Sequence, residues 1–269
     1  MVINETIALL EDRCNGKFDS LVVENAVIGI IYTGIKLSDG SSGVSYTPIA
    51  EMHESSCCMD RSVQKKGTKS FKGMSVNELL HMESTAPVLN AVKVAAMNAL
   101  SSGFIEGCEY KKIYDKDALD LMLADSVQKI CMVGAFKPFL KRLKQISGIE
   151  LSVLERRREK LAHDEQKYYA APDKAARFLS NADMVIITGS SIANGTIDNL
   201  LDHVRPDALS AVVGPSASFI PDALFSQKIK IMSGVLISDS RRMLETVAEG
   251  GGTYHLFAAG ARKINILRQ

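Results

Sequence analysis

Residues 184–191, Met-Val-Ile-Ile-Thr-Gly-Ser-Ser, join a short run of apolar, mostly β-branched residues to a glycine and two serines. Such a run is typical of a buried strand in a parallel sheet, and the Gly-Ser-Ser triplet is typical of a loop that leads into a helix. Similar apolar runs occur at 130–133, 151–154, 211–213 and 229–237, and helical patterns lie at 137–147, 173–181, 196–204, 221–227 and 240–248. Because strands and helices alternate, residues 107–269 are predicted to form an α/β domain with a doubly wound, mainly parallel sheet.

Residues 1–106 have a different pattern, in which strands come first and helices follow. Asp39 and Gly40 give a hairpin turn signal between two β-branched stretches, which predicts an antiparallel meander. The predicted elements are a helix at 5–14, strands within 21–35 and at 43–47, and helices at 76–82 and 86–101. This order favours a small α+β domain at 1–106 in front of the α/β domain.

The composition excludes several classes of protein. The chain has 269 residues, 46% of them hydrophobic and 23% charged, as in ordinary globular proteins. Lys and Arg number 32 against 31 Asp and Glu, so the chain lacks the basic excess of nucleic-acid-binding proteins. The longest strongly apolar stretch, 26–35, is too short to span a membrane, and the five cysteines are too few and irregular for a disulfide framework. We therefore expect a cytoplasmic protein without a membrane or nucleic-acid partner, and we leave a homo-oligomer open.

The candidate ligand site lies where the predicted parallel strands end. Ligands bind at the carboxyl ends of such strands, because loops converge there and helix N-termini present free N–H groups. The residues that follow the strands and are suited to hold a ligand are Gly134, Phe136, Thr188, Gly189, Ser190, Gly214, Pro215, Ser216 and Asp239. Glycine lets a ligand approach the main chain, and hydroxyl groups donate to anionic oxygens. The alternative is that these residues serve only as turn and cap residues.

Four further polar residues are predicted to face the same ligand. Asn194 and Thr196 precede the helix at 196–204, where Asn194 alternatively serves as a plain N-cap. Thr33 and Asn98 contribute from the small domain, since an amide buried in an Ala-rich helix needs a hydrogen-bond partner.

Glu155 ends the second strand of the α/β domain and follows Gly134 by 21 residues, which is the spacing of the acidic residue that binds ribose in dinucleotide-binding folds. However, the segment 134–138, Gly-Ala-Phe-Lys-Pro, departs from the G-x-G-x-x-G pattern, so bound NAD is not expected. Glu155 is predicted either to act as a base or hydroxyl acceptor, or to pair with the arginines at 156–158.

Metal-binding and nucleophilic motifs are weak in this sequence. His53, Cys57 and Cys58 form the local cluster of metal-ligand types, but they lack the paired C-x-x-C spacing of a structural zinc site. Ser216, His255 and Asp239 contain the residue types of a catalytic triad, but 214–216 is not a G-x-S-x-G elbow.

Several of these motifs, in this order, resemble a family described as "putative heavy-metal chelation", which has been classed as a domain of unknown function. The motifs that carry the resemblance are Ile28-Gly29 to Thr33, Gly43-Val44-Ser45-Tyr46, Ala95-Ala96-Met97-Asn98-Ala99-Leu100, Met132-Val133-Gly134, Leu154-Glu155-Arg156, Ile186 to Ser191, Asn194-Gly195-Thr196, Val212 to Ser216 and Gly250-Gly251-Gly252. The resemblance implies an enolase N-terminal-like domain followed by a Rossmann-like domain, with the active site between them. It also implies condensation or hydrolysis of pterin-like, flavin-like or metal-chelating molecules.

The leading hypothesis is a protein that holds a small polar molecule between its domains, with Glu155, Ser216 and Asp239 as catalytic candidates. A second hypothesis is a non-catalytic metal or metallophore binding module that uses His53, Cys57 and Cys58. A third is an S-adenosylmethionine-dependent transferase. The sequence identifies no cofactor.

Overall fold

Two β-sheets organise the chain in the computed structural model, which describes residues 1–52, 70–83, 86–107, 110–124 and 126–269. The strands are β1 (Val23–Ile28), β2 (Tyr32–Leu37), β3 (Ser42–Tyr46), β4 (Lys111–Tyr114), β5 (Lys129–Val133), β6 (Glu150–Leu154), β7 (Tyr169–Ala170), β8 (Met184–Thr188), β9 (Leu209–Val213), β10 (Ile231–Ile237) and β11 (Ala261–Leu267). The helices are α1 (Val2–Cys14), α2 (Ile49–Met52), α3 (Val76–His81), α4 (Pro87–Glu106), α5 (Ala118–Met122), α6 (Lys137–Leu143), α7 (Ala175–Leu179), α8 (Ser190–Ala193), α9 (Ile197–His203), α10 (Asp222–Ser226), α11 (Ser240–Ala248) and α12 (Thr253–Ala258). Short 3₁₀ turns occur at Lys17–Asp19, Arg158–Lys160, His163–Tyr168 and Pro172–Lys174.

The small sheet is the predicted antiparallel meander, in the order β1-β2-β3. Gly40 closes the β2–β3 hairpin with φ of 88°, a conformation that glycine adopts without strain. Helix α4 packs across β2 and β3, and Gly43 lets the two backbones approach closely, since a Cβ there would lie 2.3 Å from Ala95 O. The helix is apolar enough to cross a membrane, but 72% of its most apolar window is buried, so it is a core helix of the part of the chain described.

The large sheet has the order β4-β11-β10-β9-β8-β5-β6-β7. The six strands from β5 to β10 pair in parallel, and β11 and β4 add antiparallel strands at one edge. In chain order the parallel strands run 3-2-1-4-5-6, so the direction of winding reverses between β5 and β8. At such a reversal the loops after the two central strands diverge to opposite faces and leave a crevice. The predicted fold class, a small α+β unit followed by a mainly parallel α/β unit, is confirmed.

The core is continuous between the two sheets. One hydrophobic cluster extends from α1 and α4 to Ile187 on β8, Val212 on β9 and Phe219. A second cluster covers the opposite face of the large sheet, and a third joins Tyr32 and Val44 of the small sheet to Val235 on β10. The small-sheet strands lie within 1–106 and the large-sheet strands within 107–269, while the limits of independently folding units stay a prediction.

Candidate functional site

A cavity of about 1160 Å³ lies between the carboxyl edge of the large sheet and the small sheet. Loops after β5, β6, β8 and β9 form its floor, together with the middle of β10, and Tyr32, Tyr46, Ala50 and Glu51 cover it from the small sheet and α2. The predicted site residues in its wall are Gly134, Phe136, Glu155, Thr188, Ser190, Asn194, Thr196, Gly214, Pro215 and Ser216. The structure therefore brings together most of the residues that follow the predicted strands.

The crevice at the reversal point is shaped by Gly134 and Thr188. Gly134 has φ of 89°, and a Cβ at this position would lie 3.1 Å from the Thr188 side chain, so glycine fits both the turn and the space. The Thr188 hydroxyl lies 3.0 Å from the Ser190 hydroxyl, and the Ser190 N–H donates to Thr188 Oγ1 at 3.3 Å. These groups form the neutral polar part of the wall that the strand endings predict.

Asn194 and Thr196 form a second polar part of the wall. The Asn194 side-chain oxygen accepts from Thr196 N at 3.2 Å and from the Thr196 hydroxyl at 2.8 Å. The Asn194 amide lies 3.5 Å from Glu51 Oε1 and so reaches across the cavity toward the small sheet. Thr196, not Asn194, occupies the N-cap position of α9.

Glu155 fixes the two loops at the centre of the floor. Its side chain is only 5% exposed. Glu155 Oε2 accepts from Ala135 N at 3.2 Å, and Oε1 accepts from Arg157 N at 3.2 Å and from Lys160 Nζ at 3.1 Å. The carboxylate thus ties the loop after β5 to the loop after β6. Its ion pair is with Lys160, so the alternative prediction of pairing with an arginine of 156–158 is wrong for the described residues, where Arg157 contributes only its main-chain N–H.

Charged residues that the strand pattern does not reveal also line the cavity. Three ion pairs lie in its wall, namely Glu51–Arg156, Glu155–Lys160 and Asp117–Lys263. Arg157 lines the cavity as well, is exposed, and its guanidinium has no ion-pair partner among the described residues. The described part of the wall therefore carries one positive charge in excess of its paired charges.

Tyr46 lies among these charges at the end of β3. Burial raises the pKa of its hydroxyl above the ordinary value, the Glu51 carboxylate raises this pKa further, and Arg157 opposes the change. The phenol therefore stays protonated at neutral pH and offers a neutral hydroxyl to the cavity, which Tyr46 lines. The motif Gly43-Val44-Ser45-Tyr46 contains this residue, but no local pattern distinguishes its functional group.

Four predicted site residues do not line the cavity. The Thr33 hydroxyl lies 3.0 Å from the Thr47 hydroxyl inside the small domain, and Gly189 donates its N–H to Val213 O at 2.7 Å. Asn98 is buried beneath the wall, where its amide donates to Val44 O at 2.7 Å and to Pro215 O at 3.2 Å. Asp239 caps α11 by accepting from Arg242 N at 3.0 Å.

Ser216, Asp239 and His255, the residues of the weak triad motif, each form hydrogen bonds with other partners. Ser216 Oγ accepts from Tyr46 N at 2.8 Å, Asp239 caps α11, and His255 Nδ1 accepts from Gly252 N at 3.2 Å. Their side chains share no hydrogen bond in the described part of the chain.

The described residues bring no three His, Cys, Asp or Glu side chains together in a way that could hold a metal ion. Cys14 and Cys131 are buried and unpaired, and burial raises the pKa of the Cys131 thiol to about 12. His53, Cys57 and Cys58 lie outside the described residues, so their predicted metal role stays a prediction.

Two family models match the chain, and both carry the description "Putative heavy-metal chelation". One matches residues 117–266 and the other matches residues 10–101. A protein of Methanocaldococcus jannaschii, named only as uncharacterized, is 28% identical over 167 residues, or 58% of this chain. The match spans 60% of the length of that curated relative.

Two crystal structures of proteins with unknown function from the DUF364 family have a similar fold. The protein from Pyrococcus horikoshii is 21% identical, with a TM-score of 0.79 over 100% of both chains. The protein from Desulfitobacterium hafniense DCB-2 is 20% identical, with a TM-score of 0.71 over 98% of this chain and 99% of the other. At these identities the similarity shows the fold alone.

Proposed function

Because the chain belongs to the DUF364 family, described as "putative heavy-metal chelation", we propose that it binds a small anionic molecule of the metal-chelating class in the cavity between its two sheets. The observation that carries the proposal is the cavity wall. It combines hydroxyl and amide donors at the strand ends with one unpaired cation, Arg157. Preformed donors around a cationic group in a partly enclosed space favour an anionic ligand.

The size and the apolar surface of the cavity support a ligand with a ring system. Its volume of about 1160 Å³ is slightly above the roughly 300–1,000 Å³ typical of small-molecule sites, so a ring system fits. Phe136, Val133 and Leu154 give the floor an apolar area next to the polar groups. A pterin-like, flavin-like or metallophore-like molecule has both kinds of surface.

A metal ion would enter the cavity as cargo of the ligand. A heavy-metal ion held directly by protein requires several thiolate, imidazole or carboxylate donors in one place. The described residues offer no such group, whereas a chelator brings its own donors. In the proposed function the protein recognises the chelator, and the chelator holds the metal.

Catalysis in the cavity remains a prediction. Glu155 and Ser216 line the cavity and are the candidates that a bound ligand would meet, while Asp239 is engaged in capping α11. Condensation or hydrolysis of the ligand is the chemistry implied by the resemblance to the family.

A thermal-shift panel of pterins, flavins, nucleotides, S-adenosylmethionine, aminocarboxylate chelators and their metal complexes tests the proposal. A ligand that binds the native state raises the unfolding midpoint by mass action. Ser190→Leu places a larger side chain in the cavity wall and is expected to remove the shift. Ser180→Leu, the same change at an exposed position, is expected to retain it.

Three results would contradict the proposal. A shift that survives in Ser190→Leu would place the ligand elsewhere, and a shift given by S-adenosylmethionine alone would favour the transferase. Stoichiometric metal in untagged protein, lost when Cys57 and Cys58 are changed to serine, would favour the metal-binding module instead.

A further inference from the structure

The Glu51 carboxylate contains a buried oxygen that no hydrogen-bond donor among the described residues satisfies. Glu51 Oε1 interacts with Arg156 and with the Asn194 amide, but Oε2 is buried and has no partner in the described part of the chain. A buried polar atom without a partner is costly, and native proteins rarely keep one without a functional reason. Glu51 lines the cavity with 19% of its side chain exposed, although Oε2 itself is covered, so a ligand donor meets this oxygen after a rotation of the carboxylate group.

The unsatisfied acceptor and an unpaired cation belong to the same part of the wall. Arg157 directly follows Arg156, which is the ion-pair partner of Glu51, and both Arg157 and Glu51 line the cavity together with Tyr46. Glu155 is occupied by main-chain N–H groups and Lys160, and Asp117 is occupied by Lys263. Among the described residues, the groups left to recognise a ligand by charge are therefore one carboxylate oxygen and one guanidinium.

These two groups require opposite features of a ligand. Glu51 Oε2 needs an N–H donor and is best satisfied by a protonated amine, whereas the Arg157 guanidinium needs a carboxylate or another oxyanion. From this pairing we infer that the cavity recognises an aminocarboxylate, with its ammonium N–H on Glu51 and its carboxylate on Arg157. This inference rests on the proposed function and specifies the chemistry of its ligand.

Iminodiacetate and glutarate form a matched pair of probes, because they have the same chain length and two carboxylates but differ in the central NH₂⁺ or CH₂ group. Binding is measured by titration calorimetry in metal-free buffer at neutral pH. The native protein is expected to bind iminodiacetate at least about tenfold more tightly than glutarate, as a hydrogen bond to a charged group predicts.

Two variants test whether Glu51 and Arg157 are the groups that bind the probes. Glu51→Gln keeps the shape of the side chain but removes its charge, and it is expected to reduce the preference for iminodiacetate to about twofold or less. Arg157→Met is expected to weaken both probes about tenfold while keeping the preference. Glu245→Gln, an exposed carboxylate on α11, is the matched control and is expected to change neither affinity.

The outcomes separate this inference from the proposed function. Equal affinity for both probes, an unchanged preference in Glu51→Gln, or no binding of either probe would overturn the aminocarboxylate assignment. In each of these cases the proposed function stands if another compound of the panel binds native protein and is excluded by Ser190→Leu. Probe binding that persists in Ser190→Leu would overturn both the aminocarboxylate assignment and the proposed function.

Discussion

Asn98 and Ser218 are joined by a hydrogen bond of 3.2 Å from the Ser218 main-chain N–H to the Asn98 side-chain oxygen, although 120 residues separate them. The amide group of the same asparagine donates to Val44 O on β3 at 2.7 Å. Asn98 is 3% exposed. One buried side chain in α4 therefore connects the small sheet to the loop after β9, which forms part of the cavity floor.

Asn98→Ala is expected to lower the free energy of unfolding by about 3 kcal/mol, because it leaves the Ser218 N–H and the Val44 carbonyl buried without partners. Urea denaturation followed by circular dichroism measures this. Asn181→Ala, which removes an exposed amide that donates to Arg177 O, is expected to stay within about 0.5 kcal/mol of the native value. Equal losses in the two variants would show that the Asn98 contacts contribute little.

Glu155→Gln is expected to loosen the floor of the cavity. Glutamine keeps one acceptor oxygen and replaces the other by an NH₂ group, so either the Ala135 N–H or the Arg157 N–H loses its partner. The expected cost is about 2 kcal/mol in the free energy of unfolding, together with a smaller thermal shift from any ligand of the panel. Glu159→Gln, an exposed neighbour, is the control. A native-like Glu155→Gln would argue against a fixing role for this carboxylate.

The contact between β3 and α4 depends on the absence of a side chain at Gly43. A Cβ at this position would lie 2.3 Å from Ala95 O and 2.6 Å from Ala99 N, so Gly43→Ala is expected to destabilise the protein by about 3 kcal/mol. Gly103→Ala is the matched control, because Gly103 lies in α4 and has open space around its Cβ position. Alanine there is expected to increase the free energy of unfolding by about 0.5–1 kcal/mol. A Gly43→Ala protein as stable as the native protein would refute the close approach.

The sequence predicts the central strands because they are buried on both faces. Strand β8 from Met184 to Ile187 is fully buried, so its residues are uniformly apolar and its pattern is unambiguous. Strand β11 escapes detection because Lys263 and Asn265 interrupt its apolar pattern, and β7 is only two residues long. Helix α12 begins directly after the three glycines at 250–252, which by themselves favour a loop over a helix.

The sequence predicts only those parts of the candidate site that lie at the ends of recognisable strands. Gly134 and Gly214 follow strands and Thr188 ends β8, so local sequence indicates their place at the sheet edge. Asp239 also follows a strand, but β10 has seven residues and meets the cavity at Ser233–Val235, which leaves Asp239 beyond the wall. Tyr46 and Glu51 meet Arg157, which lies more than 100 residues further along the chain, and no local spacing in the sequence predicts this.

Tyr32 gives the protein a predicted alkaline sensitivity. The side chain is 7% exposed, and its hydroxyl lies 2.6 Å from the Thr253 hydroxyl. Burial raises the pKa of Tyr32 above the ordinary value of about 10, and the Thr253 hydrogen bond opposes that rise in part. When the pH exceeds the ordinary pKa, the Tyr32 hydroxyl loses its proton in the unfolded chain but keeps it in the native protein. The free energy of unfolding therefore falls as the pH rises from about 10 toward the native pKa.

Tyr32→Phe separates this effect from other titrations. The variant is expected to be about 1 kcal/mol less stable than the native protein at pH 7, since it loses the bond to Thr253. It also lacks the titrating hydroxyl, so the difference between the two proteins is expected to shrink as the pH is raised above about 10. Urea denaturation at a series of pH values measures the difference, and phenolate absorbance of the native protein follows the titration directly. A difference that is constant with pH would mean that Tyr32 titrates alike in the folded and unfolded chain, and burial would then not control its proton.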